Sequence, residues 1–113
     1  MTRTPMALGE AFVAVDWSSR PATEIVGAKG RALERSTSIG TLRVRLIEFS
    51  AGYEADHWCR RGHVGYVVEG ELTLRIDDGR RFELSKGDSF MVGDEIDAHL
   101  LETAQGTTVF LVD

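Results

Sequence analysis

The 113-residue sequence has one cysteine, two prolines and no long apolar segment. A single cysteine cannot form an intramolecular disulfide, so we expect a reducing compartment, the cytoplasm. No apolar run approaches the roughly 20 residues that a transmembrane helix needs. The opening residues, MTRTPMALGEAF, also lack the apolar core of a secretory signal peptide. The sequence therefore predicts neither secretion nor a membrane partner.

Basic residues are in the minority: 13 Lys and Arg stand against 18 Asp and Glu, which gives a formal net charge of −5. Because a nucleic-acid-binding domain usually carries a basic face, we expect no nucleic-acid partner. The chain also lacks the glycine-rich phosphate-binding patterns GxxxxGKS, GxxxxGKT and GxGxxG. Any chemistry must therefore come from other side chains.

What the chain contains instead is a series of short β-type segments from Thr41 onward. In TLRVRLIEF, the apolar Leu42, Val44 and Leu46 alternate with arginines, which is the period of a half-buried strand. We expect these three residues to mark the buried face. The apolar phase then changes at Ile47, which predicts a β-bulge or bend near that residue.

Further segments of the same kind follow, separated by turns. The strand candidates are GYVVEGELTLRI, RRFEL, SFMV and TTVFLVD, and the segments DDG and SKGD between them are typical of turns. The sequence shows no long amphipathic helix. Many short strands with regular glycine turns predict a single all-β domain, a small antiparallel barrel or sandwich.

The stretch ADHWCRRGHVGYVVEGEL, residues 55–72, concentrates side chains that can bind a metal. His57 and Cys59 are two residues apart and would project from the same face of a strand. His63 follows after RRG, which favours a turn, so parity alone does not place it. Imidazole and thiolate suit zinc, iron, nickel or copper, and they do not suit magnesium or calcium.

Two other interpretations of these residues remain open at this point. Cysteine is often buried as a small hydrophobic residue, and a histidine in a strand is often only hydrogen-bonded to a neighbour. Alternatively, Cys59 and His63 could form a nucleophile pair, with Glu69 or Asp56 orienting the imidazole. No helix N-terminus is predicted at Cys59 to lower the pKa of its thiol.

These residues resemble the first motif of the cupin superfamily, in which a glycine, an HxH pair, a glutamate and a second glycine follow in order. The corresponding residues are Gly52, His57, Cys59, His63 and Gly70. A cysteine therefore takes the place of the second histidine, and a histidine takes the place of the glutamate. GYVVEGEL is similar to the strand and turn that follow the ligands in many cupins. The pattern ADHWC also resembles a group of small single-domain cupins.

The second cupin motif is matched more loosely, by GDSFMVGDEIDAH. Gly87 opens it, Gly93 replaces its proline, and His99 comes one residue later than the motif's histidine. On a continuous strand, a shift of one residue moves a side chain to the opposite face. A turn at VGDEID that is one residue longer would restore the phase. We therefore expect His99 to face the pocket, together with Leu101.

The resemblance implies a double-stranded β-helix, the cupin jelly roll. Residues 41–113 would form the barrel, and residues 1–40 an N-terminal arm whose strands pack on it or extend it. The resemblance also implies a divalent transition metal in the barrel mouth, bound by His57, Cys59, His63 and His99. A thiolate and an imidazole in place of an imidazole and a carboxylate favour zinc or iron, with nickel as a further candidate.

Function is less constrained, because one fold can carry many chemistries. One hypothesis is a metal-dependent small-molecule enzyme of the dioxygenase, isomerase or lyase type, with Tyr66 or Glu102 as acid–base candidates. The alternatives are a non-catalytic ligand-binding module and a degenerate, metal-free cupin whose pocket is closed by Trp58, Tyr66 and Phe90. We also expect a homodimer joined through sheet edges, to which AFVAVDW could contribute a strand.

Overall fold

A computed structural model describes residues 12–113. Over this range one 3₁₀ turn precedes eight β-strands, and α-helices are absent, which confirms the predicted all-β class. The turn is Trp17–Ser19, and the strands are β1 (Thr23–Val26), β2 (Arg31–Ile39), β3 (Leu42–Phe49), β4 (His63–Ile76), β5 (Arg81–Ser85), β6 (Ser89–Val92), β7 (His99–Glu102) and β8 (Thr107–Val112). No helix of residues 12–113 is long and apolar enough to cross a membrane.

The longest strand, β4, organises the antiparallel architecture. Its first half pairs with β6 and β8, and its second half pairs with β5 and β7. A bulge between Val67 and Glu69 separates the two halves, and Gly70 follows at a φ of 77°, which residues with a side chain rarely adopt. β8 lies between β3 and β4, giving the order β1-β2-β3-β8-β4-β5. A strand shared in this way by two sheets produces the predicted jelly roll.

The core is an apolar layer on the inner face of these strands. Ile47 of β3, Val109 of β8 and Val67 of β4 are direct cross-strand neighbours, and all three are buried, as is Leu72. Burying an aliphatic side chain of this size stabilises the native state by roughly 1.5–3 kcal/mol. This layer fixes the spacing of β3, β8 and β4, and thereby positions the polar residues that continue the same inner face toward one end.

The predicted orientation of β3 was wrong. Its pairing with β2 and β8 runs without a shift in register, so there is no bulge at Ile47, and the bulge lies in β4 instead. Arg43 and Arg45 therefore share the inner face with Ile47 and Phe49, and all four line the cavity inside the barrel. Arginines are tolerated there because buried and partly buried carboxylates neutralise them.

Residues 23–39 extend the main sheet beyond β3. β2 pairs with β3, and β1 pairs with β2 at the sheet edge. Ahead of them, the Arg20 guanidinium donates to the Ser36 carbonyl at 3.3 Å and to Thr37 Oγ1 at 3.1 Å, which ties the 3₁₀ turn to β2. Of the predicted strand AFVAVDW, Ala11 lies outside the described residues, and residues 12–16 are not in a strand. The division of the chain at residue 40 stays a prediction.

Candidate metal centre

Cys59, His63 and His99 come together at the polar end of the barrel interior. One potential ligand atom from each lies within 4.8 Å of the other two. Cys59 Sγ is 3.4 Å from His63 Nε2, and the rings of His63 and His99 meet edge to face with their centroids 5.1 Å apart. A thiolate and two imidazoles at this spacing form a donor set that suits a transition metal.

The backbone fixes this arrangement from three directions. Cys59 and His99 form a two-hydrogen-bond bridge, in which each amide donates to the other's carbonyl at 2.7 and 2.9 Å. His99 opens β7, where it is paired with Ile76 of β4. His63 is the first residue of β4 and pairs with Val92 of β6. His63 and His99 are therefore held by strand pairing, whereas Cys59 lies outside the strands and is held by its bridge to His99.

His63 is oriented by a buried carboxylate. Its Nδ1 lies 3.0 Å from Asp113 Oδ2, and an Nδ1–H that donates to this carboxylate leaves Nε2 as the lone pair facing Cys59. Burial, followed by the neighbouring His99 and Arg45, lowers the pKa of His63 more than Asp113 raises it. The imidazole is therefore neutral at neutral pH, as a metal ligand must be.

Asp113 is itself held by two arginines. Arg43 donates to its carboxylate from Nε at 3.1 Å and from Nη2 at 3.2 Å, and Arg45 donates from Nη2 at 2.9 Å. Arg45 also reaches Glu34 at 3.2 Å. Burial alone would raise the pKa of Asp113, but the hydrogen bond from Arg43 and the two positive charges outweigh it, and the pKa is lowered. The carboxylate on His63 thus stays ionised.

His99 has a buried ring nitrogen without a hydrogen-bond partner among residues 12–113. It is 5% exposed, and its Nδ1 lies 3.0 Å from the Asp97 carbonyl, which assigns the proton to Nδ1 and the lone pair to Nε2. Within residues 12–113, this buried Nε2 has no hydrogen-bond partner. A buried acceptor without a donor is costly, and a metal ion would satisfy it. The residues present therefore fit a metal.

His57 lies apart from this cluster. Its side chain is 78% exposed, and its Nδ1 is 2.6 Å from Asp56 Oδ1. It lines the mouth of the same cavity, but it is not in the group of three that share a possible ion position. Its role as a metal ligand stays a prediction.

The cavity beside the cluster has a volume of about 280 Å³. Its apolar wall is formed by Ile25, Ile47, Phe49, Tyr53, Ala55, Leu74, Phe90, Leu101 and Leu111. The acid–base candidates Tyr66 and Glu102 do not line it. Tyr66 is 46% exposed, and Glu102 pairs with Arg75 and Arg81 at 3.9 and 3.7 Å. Their catalytic roles remain untested hypotheses.

The aromatic plug predicted for a degenerate cupin is not assembled. Of its three members, only Phe90 lines the cavity. Trp58 and Tyr66 are both more than 40% exposed. The Arg75 guanidinium lies over the Trp58 ring, with its Cζ 5.8 Å from the ring centroid. The predicted closure of the pocket by these side chains was wrong.

Asp113, Arg43 and Arg45 were missed by the sequence analysis. One signal was available for Asp113: Thr107, Val109 and Leu111 alternate as the buried positions of β8, and Asp113 is the next position of that phase. No local signal places it beside His63, because the two residues are 50 positions apart.

Solved structures provide the comparison with known proteins. The chain is similar to an RmlC-like cupin from Shewanella frigidimarina, with 28% identity, a TM-score of 0.73 and coverage of 95% of this chain and 92% of that one. It also resembles ectoine synthase from P. lautus, with 14% identity, a TM-score of 0.74 and coverage of 89% of this chain and 76% of that one. A third similar structure is a sugar phosphate isomerase from Silicibacter pomeroyi, with 17% identity, a TM-score of 0.67 and coverage of 88% of this chain and 74% of that one. No protein-family model and no curated protein matches the chain.

A jelly roll whose interior brings two histidines and a cysteine together defines a cupin-fold protein. Its structural neighbours are RmlC-like cupins and other cupin-superfamily proteins, which confirms the resemblance read from the sequence. Assignment to the smaller ADHWC group stays a prediction.

Proposed function

We propose that the chain binds a divalent transition metal through Cys59, His63 and His99, and that a small molecule binds beside it in the cavity. The observation that carries this proposal is the buried, unpartnered Nε2 of His99 in a cluster with a thiol and a second imidazole. Zinc and iron suit this donor set best, and nickel is a further candidate.

A divalent metal held by these three residues would supply Lewis-acid activation of a molecule bound in the cavity. The chain's own residues orient the site: Asp113 holds the His63 ring and its tautomer, and the Asp97 carbonyl does the same for His99. The similarity to an ectoine synthase and a sugar phosphate isomerase supports small-molecule chemistry in a cavity of this fold. A non-catalytic ligand-binding role uses the same site.

The test is elemental analysis of untagged protein purified without chelator, followed by thermal unfolding with and without added metal. A ligand present at 100 times its Kd stabilises the native state by about 2.7 kcal/mol. We expect the parent to gain stability from zinc or iron, and Cys59→Ser and His99→Ala to gain little. If all three proteins unfold alike in metal and in chelator, the proposal is wrong.

A second candidate function rests on the same geometry. Cys59 Sγ, His63 Nε2, His63 Nδ1 and Asp113 Oδ2 form a continuous chain of contacts of 3.4 and 3.0 Å, which is the arrangement of an activated thiol nucleophile. The orienting carboxylate would be Asp113 rather than Glu69 or Asp56, since Glu69 pairs with Lys86 and Asp56 with His57. Iodoacetamide distinguishes the two functions: metal protects a ligated Cys59, whereas a nucleophile reacts equally with or without added zinc.

We also propose a homodimer with a second copy as the partner, formed through the outer face of the main sheet and not through the sheet edges that the sequence analysis predicts; pairing through the edges stays a prediction. Two cross-strand rows of apolar residues share this face, Val44, Val112, Val64 and Met91 in one row and Leu46, Phe110 and Tyr66 in the other. Val64, Tyr66 and Met91 are 46–72% exposed, and exposed apolar patches typically mark interfaces. By light scattering, Val64→Lys should be monomeric and Ile96→Lys dimeric. A monomeric parent at micromolar concentration would contradict the proposal.

A further inference from the structure

Guanidinium groups line the cavity beside the cluster, in a protein that is acidic as a whole. Three arginines, Arg43, Arg45 and Arg61, line it, and across residues 12–113 no aspartate or glutamate does, although the chain carries a net charge of −5. The Asp113 side chain that balances Arg43 and Arg45 is only 2% exposed. A ligand entering the cavity therefore meets guanidinium groups without facing a carboxylate.

Some of the N–H donors of these three arginines have no hydrogen-bond partner within residues 12–113. Arg45 is 11% exposed at its side chain, and its Nε, which has no partner in that range, is buried rather than open to the cavity. Arg61 is exposed, and it makes no ion pair or side-chain hydrogen bond with any of residues 12–113. A guanidinium presents paired N–H groups that match the two oxygens of a carboxylate.

The rest of the cavity restricts what else the ligand contains. Its wall is mainly aliphatic and aromatic, with Ile25, Ile47, Phe49 and Leu101 among the lining residues. A volume of about 280 Å³ corresponds to the liquid volume of roughly nine water molecules. The ligand must therefore be small, and its uncharged part must be apolar.

We propose that the cavity binds a small monocarboxylate with a short apolar chain, its carboxylate facing the guanidinium groups and its chain lying on the apolar wall. The proposal rests on the proposed function only in placing the ligand in the same cavity, because the arginines are present whether or not a metal is bound. A free phosphate shares the charge but has no apolar part to bury.

The test is calorimetric titration of the full chain, both chelator-treated and zinc-loaded, with 4-methylpentanoate, with its neutral amide 4-methylpentanamide and with inorganic phosphate. A carboxylate accepts stronger hydrogen bonds from guanidinium groups than a neutral amide does, so we expect the carboxylate to bind at least tenfold more tightly than the amide. Arg61→Gln should weaken carboxylate binding roughly tenfold. Arg60→Gln, the same charge change at a neighbour that does not line the cavity, should leave binding within about twofold.

Several results would overturn the proposal: no carboxylate binding to either form, equal binding of the amide, tighter binding of phosphate, or equal losses in Arg60→Gln and Arg61→Gln. Failure of the metal proposal is recognised separately, since it is read from metal content and from the response to zinc. Carboxylate binding to chelator-treated protein that takes up no zinc would support this inference while rejecting the metal.

Discussion

The two faces of β3 are oriented opposite to what their side chains suggest: the charged face points into the barrel and the apolar face points outward. Leu42, Val44 and Leu46 belong to the outer face, whereas Arg43 and Arg45 belong to the face that lines the cavity. Hydrophobic alternation distinguishes the two faces of a strand. It does not tell which face points into the barrel where the strand passes the polar end of the cavity. At such an end, burial follows charge neutralisation, here by Asp113 and Glu34, rather than hydropathy.

The largest effect is expected for Arg45→Leu, a substitution that hydrophobic patterning would favour on a buried face. Arg45→Leu would deprive the partly buried Glu34 and the buried Asp113 of the same ion-pair partner. We therefore expect the free energy of unfolding to fall by roughly 3–5 kcal/mol. Arg43→Leu is the control, and its effect should be smaller since that side chain is 43% exposed. Urea unfolding measures both, and a stabilised Arg45→Leu would contradict the electrostatic account.

The apolar part of β3 offers a second test. Ile47 is 2% exposed, and Ile47→Ala should cost roughly 2–5 kcal/mol of unfolding free energy because it leaves a cavity in the core. Leu46→Ala on the outer face should cost clearly less in the monomer, since Leu46 is only partly buried. Equal costs in urea titrations at low protein concentration would show that the faces are not distinct.

Asp113→Asn tests the candidate metal centre. Removing the charge behind a ligating imidazole typically lowers metal affinity 10–100-fold, or about 1.4–2.7 kcal/mol. Glu34→Gln is a matched control, because Glu34 is the other carboxylate on Arg45 and does not contact His63. Competition with a chromophoric chelator gives both affinities. Similar affinities for Asp113→Asn and the parent would remove Asp113 from the site.

The smallest effect is expected for His57→Ala. Its imidazole is mostly exposed and engaged with Asp56, so we expect metal affinity to change by less than tenfold, or about 1.4 kcal/mol. His99→Ala, measured in the same chelator competition, provides the reference for a full ligand. A loss as large as that of His99→Ala would instead make His57 a fourth ligand, as the cupin motif suggests.

The fold was predictable because strand alternation and glycine turns are local signals, and the motif around Cys59 and His63 lies within one short stretch. The orientation of His99 toward the cavity could also be predicted, from the length of the turn that precedes it. The partner of His63 did not, since Asp113 reaches it only after β8 has been placed beside β4. The orientation of β3 failed for the same reason: the charges that make its arginines acceptable inside come from other strands.

The position of β8 also has a consequence for how the chain folds. β8 is seated between β3 and β4, so the pairing of neighbouring strands along the chain cannot build the centre of the sheet. Arg43 and Asp113, whose contact closes that centre, are 70 residues apart in the sequence. Closing so long a loop costs entropy before any contact is gained, and sheets dominated by such distant pairings fold in roughly milliseconds to seconds. Arg43, Arg45 and Asp113, which orient His63, should therefore be among the last residues to come together when the chain folds.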